Sequence, residues 1–158
     1  VSDLTATAIE INAIADDSAR LINAGSALTA TVAAHGNRIV LLDTAAGSTI
    51  TLPAASGTGA IFTFLISTSA TSNSHIVQVA NASDTMVGFC NFVDDTSDNV
   101  VGFQASGTDD TITLNRTTTG LAVLGSKIVC IDYATNLWGV EVHDHCSGTP
   151  ATPFSAAV

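Results

Sequence analysis

The sequence predicts an all-β protein: a sandwich, jelly roll or barrel-like body of about ten short strands, with a short N-terminal helical arm and an extended C-terminal tail. Three observations carry this. From residue 28 onward, short segments alternate apolar and polar residues, the period that gives a strand one core face and one wet face. Clusters of Gly, Ser, Asn, Asp and Thr punctuate those segments at short intervals. Only one stretch, near the N-terminus, carries helical spacing instead.

That stretch is residues 5–24. Thr7-Ala8-Ile9-Glu10 reads as a capping box, with Thr7 as the N-cap and Glu10 reaching back. Ile11, Ile14, Ala15, Ser18, Leu21 and Ile22 fall on one helical face. Gly25 is placed to end the helix in a left-handed conformation. Such a stripe must be buried on the body, on another copy, or on both.

The strands follow in order. They are expected at Leu28–Val32, Arg38–Asp43, Ser48–Leu52, Ala60–Ile66, His75–Ala80, Thr85–Phe89, Asn99–Gln104, Asp110–Leu114, Ser126–Asp132 and Leu137–Val142. The alternation is cleanest in Thr49-Ile50-Thr51-Leu52, Ile61-Phe62-Thr63-Phe64 and Thr111-Ile112-Thr113-Leu114. It assigns Phe62, Phe64 and Trp138 to the core. The tail holds Gly148, Pro150 and Pro153, and Phe154 reads as a single anchor on an otherwise loose arm. The organisation is then 1–25 as a helical arm, 26–146 as the β body and 147–158 as the tail.

Composition narrows the function. The 158 residues are 46% hydrophobic and only 11% charged, against a usual charged share of about a quarter. Four cations (Arg20, Arg38, Arg116, Lys127) face 14 acidic residues, for a net charge of −10. Neutralising a phosphate backbone or an anionic bilayer takes clustered Lys and Arg. No nucleic-acid or membrane partner is therefore expected. No run approaches the roughly 20 apolar residues of a membrane span, and no signal-peptide pattern opens the chain. The three cysteines, Cys90, Cys130 and Cys146, are odd in number and widely spaced. They read as free thiols made in a reducing cytoplasm rather than as a disulfide framework.

Two sets of segments resemble virion proteins of tailed bacteriophages. Leu4-Thr-Ala-Thr-Ala-Ile-Glu-Ile-Asn12 is similar to a stretch that recurs in tail-fibre and virion-appendage proteins. The run from Asp43 to Ala60 resembles a pattern of small head-decoration or fibre-like proteins, and so do Ser72–Val77, Thr108–Arg116 and Ser147–Phe154. The resemblance implies a β-rich homotrimer on the virion.

Catalytic signatures are sparse. Four histidines and many serines are present, but no Gly-x-Ser-x-Gly elbow. The two glutamates, Glu10 and Glu141, fall in a helix cap and a strand, which does not suggest a glycosidase pair. His143-Asp144-His145-Cys146 is the nearest approach to a metal set. His143 and His145 share a face if the strand continues, and Cys146 adds a further ligand type. No second ligand pair stands at standard spacing, so a polar strand end is the plainer reading, and no cofactor is expected. The acidic loops Asp94–Asp98 and Asp109–Asp110 match no calcium loop and read as solvated turns.

The expectation is a non-enzymatic virion structural protein, a capsid decoration (cement) protein on the capsid surface that binds itself and the major capsid protein. Its candidate contact residues are Ile11, Ile14, Leu21, Ile22 and Phe154. The alternative is a tail-fibre or head-fibre module that binds cell-surface glycan.

Overall fold

In the computed structural model, Thr7 and residues 20–158 are described. Among the described residues, twelve strands and one short helix run in the order β1 (Leu21–Asn23), β2 (Ala27–Thr29), α1 (Val32–His35), β3 (Arg38–Leu42), β4 (Thr49–Thr51), β5 (Ile61–Ile66), β6 (His75–Gln78), β7 (Thr85–Asp94), β8 (Val100–Gln104), β9 (Thr111–Leu114), β10 (Lys127–Ala134), β11 (Leu137–Cys146) and β12 (Phe154–Ser155). They form a seven-stranded sheet, β1-β3-β5-β10-β11-β7-β8, and a five-stranded sheet, β12-β9-β6-β4-β2.

The first six strands alternate between the two sheets. β1, β3 and β5 lie parallel in the large sheet, and β2, β4 and β6 lie parallel in the small one. Residues 21–78 therefore wind as a coil of three turns, each giving one strand to each sheet. The later strands close the coil on the same side of both sheets. β10 pairs antiparallel with β5, and β9 antiparallel with β6. β7 and β11 form a long parallel pair in register from Leu137↔Thr85 to Cys146↔Asp94. Gly88 permits that pairing. Its φ is +142°, and a Cβ there would stand 1.8 Å from the Val140 carbonyl oxygen.

One apolar core fills the space between the sheets. Val40, Leu42, Phe62, Phe64, Ile66, Met86, Phe92, Ile128, Trp138, Val140 and Val142 come from the large sheet. Ile50, Val77, Ile112, Leu114 and Phe154 come from the small one. Phe62 and Trp138 meet edge to face at 5.6 Å, a favoured aromatic geometry. Burial of Phe62, Phe64 and Trp138 agrees with their alternation. The all-β sandwich is the predicted class, with each predicted strand overlapping an observed one.

Two expectations change. The predicted helix over 5–24 does not reach its stated end, because Leu21–Asn23 is strand β1, paired with β3. Leu21 and Ile22 consequently face opposite sides rather than sharing a stripe. Gly25 has the predicted positive φ, +65°, but its N–H bonds Asp43 Oδ1 at 2.9 Å in a turn between strands. The rest of the predicted span, with Ile11 and Ile14, lies outside the described residues apart from Thr7, which is exposed. The tail is also more ordered than predicted. Phe154 and Ser155 pair antiparallel with β9, with Thr113 N–H donating to the Pro153 carbonyl, and Phe154 is 4% exposed. It is a core residue of the body and not an outward anchor, because β12 extends the small sheet and turns that ring inward.

Candidate functional site

Successive side chains of the large sheet alternate between the core and the outside. The outside is where this sheet departs from an ordinary sandwich. Reading across the register, one row is Leu21, Ile39, Thr63, Val129, Glu141, Phe89 and Gln104. The next is Asn23, Leu41, Leu65, Lys127, His143, Asn91 and Gly102. On the other side run Ile61, Ile131, Gly139 and Val87. Aliphatic and aromatic residues hold nine of these eighteen positions, concentrated in the first and third rows, so the outer face carries an exposed apolar band beside a mostly polar row. Apolar residues on the outside normally belong to a sheet covered on both sides.

The size of the face can be estimated. Seven strands about 4.8 Å apart span roughly 29 Å, and three rows cover about 20 Å along the strands, or about 600 Å². About half of that is apolar, within the range a monomer carries, while the whole face approaches the roughly 800 Å² per partner of a standard interface. Gly139 leaves a depression of about 190 Å³, walled by Val87, Phe89, Val129 and Ile131, which suits an incoming side chain. Charge is scarce here. Lys127 and Glu141 nearly cancel, and Glu141 Oε2 lies 3.8 Å from His143 Nε2. A second copy of a chain carrying −10 would meet little repulsion on this side.

The outer face of the small sheet is opposite in character. Its rows read Ala27, Thr49, Ile76, Thr113 and then Thr29, Thr51, Gln78, Thr111, Ser155. Hydroxyls and amides make up most of it, and the buried Thr111 hydroxyl donates to Asp110 Oδ1 at 2.8 Å.

Several aspartates brace loops from within. Asp132, at 1% exposure, accepts from the backbone N–H of Ser56, Gly57 and Thr58 at 2.8, 2.7 and 2.9 Å. The Thr58 hydroxyl donates to it at 2.6 Å. Burial alone would raise its pKa, but the bonds from Thr58, Gly57 and Ser56 outweigh this and hold it at about 2. Asp144 accepts from Ala122 N–H, His145 N–H and the Ser126 hydroxyl. There burial wins, and its carboxyl is pushed above the usual range against those bonds. Asp110 is a correction to the solvated-turn reading. It is 5% exposed and accepts from Ala157 and Val158 N–H at 2.7 and 3.2 Å, latching the tail to the body. Asp94 behaves as predicted, capping its own turn through Thr96 and Ser97.

The predicted site residues are not brought together. Leu21 sits at one edge of the apolar face, 58% exposed, while Ile22 is half-buried on the other side of its strand. His143 and His145 do project from the same side of β11, and Cys146 points into the core. Cys146 therefore cannot join them on one ion. Among the described residues no group of three or more His, Cys, Asp or Glu is placed to hold a metal. All three thiols are buried and free. Burial raises the Cys90 pKa to about 11 and raises those of Cys130 and Cys146, which disfavours the nucleophilic thiolate.

Sequence reasoning missed the apolar face itself. The signal was present in the runs Ile61–Ile66 and Ile128–Ile131, which are too continuously apolar for strands with one wet side. Compared with family models, with curated proteins and with solved structures, the chain has no match.

Proposed function

We propose that this chain is a non-enzymatic structural subunit of a tailed-bacteriophage virion, a capsid decoration protein that associates with copies of itself and docks on the major capsid protein. The observation that supports it is the outer face of the large sheet. An exposed apolar band on the outside of that sheet, with a shallow socket at Gly139, supports a face that another subunit covers. Covering it with other copies gives a multivalent unit, which gains effective concentration when it meets several capsid subunits at once. Binding the assembled shell in preference to free subunits stabilises the shell by mass action. The phage assignment rests on the segments Leu4–Asn12 and Asp43–Ala60, and the trimer on the same resemblance.

The test is quantitative mass spectrometry of purified virions, as the ratio of this chain to the major capsid protein. Near-stoichiometric abundance supports decoration. A ratio of a few per cent supports the fibre reading, which the hydroxyl-rich side of the molecule also favours. Absence from the particle overturns both.

A further inference from the structure

A second feature lies on the opposite side of the body, at the end of the hydroxyl-covered sheet. Ser26, the 46–49 turn, the 72–74 turn, Ile76 and Arg116 line an open cleft of about 600 Å³. That volume accommodates a small ligand. No acidic side chain lines it, although the chain has 14, and one of its four cations does.

The cleft is held in shape by bonds that leave its donors free. Asn73 Nδ2 donates to the Ala46 carbonyl at 2.9 Å, and the Ser48 hydroxyl to the Gly25 carbonyl at 2.7 Å. Gly47, with φ +88°, admits the 72–74 turn so closely that a Cβ would stand 2.4 Å from the Ser74 carbonyl. Arg116 has φ +73°, an uncommon conformation for a side-chain-bearing residue. Its Nη1 donates to the Thr71 carbonyl at 3.0 Å, and its Nε is buried without a partner. Apart from the buried Nε, three of the guanidinium N–H groups remain unused. The hydroxyls of Ser26, Thr49, Ser72 and Ser74 also have no hydrogen-bond partner among the described residues.

We propose that this cleft binds a small polyhydroxylated carboxylate, that is, an acidic sugar, with the Arg116 guanidinium on the carboxylate and the serine hydroxyls on the ring hydroxyls. A guanidinium pairs with a carboxylate through directional, charge-assisted bonds. The hydroxyl lining fits a ring dense in alcohols. No aromatic ring lines the cleft, so recognition is by hydrogen bonding rather than stacking. The net charge of −10 opposes an anion at long range, but that field is screened beyond about 8 Å at physiological salt, and the local cation decides. The proposal does not depend on the assembly reading, which concerns the other sheet.

The experiment is an amide-resolved NMR titration of the full chain with sodium glucuronate, methyl glucoside and acetate. Glucuronate should give saturable shifts confined to residues 26, 46–49, 72–74 and 116, with a Kd on the order of 1 mM. Methyl glucoside lacks the charge and acetate lacks the ring, so each should bind at least about tenfold more weakly. Arg116→Gln should lose about tenfold or more. Because Arg116 also holds the 71–74 loop, the double variant Ser72→Ala, Ser74→Ala serves as a second probe. It keeps that anchor and should still weaken glucuronate several-fold. A glucuronate-terminated oligosaccharide separates the sources: tighter binding than the monosaccharide indicates a polysaccharide end, and equal binding a free sugar acid. Equal response to methyl glucoside, no saturable shift at the cleft, or unchanged binding in both variants overturns the proposal.

Discussion

Replacing Asp132 with Asn tests whether internal carboxylates hold the loops of this sandwich. The side chain keeps its shape but loses its charge, and its new NH₂ must face N–H groups that now donate to an oxygen. Holding the Asp132 pKa at about 2, against 3.8 ordinarily, corresponds to about 2.5 kcal/mol at 1.36 kcal/mol per pH unit. The carboxylate lies just under the 55–59 loop, so solvent screening reduces that to about 1.5 kcal/mol. The misdirected NH₂ and its orphaned partners add about 1.5 kcal/mol. The expected loss is about 3 kcal/mol, or a Tm lower by about 6–12 °C for a domain of this size. The assay is urea unfolding followed by circular dichroism at a series of pH values. A depressed carboxyl pKa contributes stability above the unfolded value, which is lost as pH falls through the folded one. The gap between wild type and Asp132→Asn should therefore be full at pH 7 and narrow between about pH 4 and pH 2. A gap below about 0.5 kcal/mol at pH 7, or one that does not narrow at all on acidification, would refute the brace.

Four further outcomes are expected. Phe154→Ala should cost about 3–4 kcal/mol by opening a cavity in the core; a loss under about 1 kcal/mol in urea unfolding would instead make the tail a loose arm. His75 is fully buried, and burial pulls its pKa below 6.5 despite the Thr68 backbone, so the folded state resists a proton that the unfolded chain accepts. Stability should fall as pH drops below about 6.5, and His75→Leu should flatten that fall in urea midpoints between pH 7 and 5. Gly88→Ala drives a Cβ into the Val140 carbonyl and should give little soluble protein, read as expression yield and loss of a cooperative melt. Phe89→Ser with Ile131→Ser should leave the Tm within a few degrees and lower the sedimentation coefficient of any self-associated species; unchanged association would remove the apolar face from the interface.

The strands were legible because alternation is local. Thr111-Ile112-Thr113-Leu114 and Ile61-Phe62-Thr63-Phe64 announce their inner faces in four residues each. The coil was not legible, because its turns differ in length. Leu21 pairs with Ile39 and Ile39 with Thr63, while Ala27 pairs with Thr49 and Thr49 with Ile76. No fixed period exists for a reader to find. β1 was lost to a competing pattern: three residues are too few to show alternation, and Leu21 and Ile22 happen to continue the spacing of Ile11 and Ile14. The roles of Asp110 and Asp132 were hidden for another reason. A turn aspartate and a bracing aspartate look alike until the fold brings distant N–H groups to one of them. The apolar face lay between these cases, since its runs were visible and only their two-sidedness went unread.

The switch from parallel to antiparallel pairing has a consequence for how the chain reaches its native state during synthesis. The third turn of the coil ends in β5 and β6, whose outer edges are filled only by β10 and β9. Ile61 waits for Ile131, and His75 for Leu114. Until those residues leave the ribosome, both sheets present unsatisfied edges flanked by bare apolar surface, the condition that invites mispairing between nascent chains. Pairings this distant in sequence also close slowly. Yield should then depend on translation rate and temperature more steeply than the stability of the finished protein would suggest.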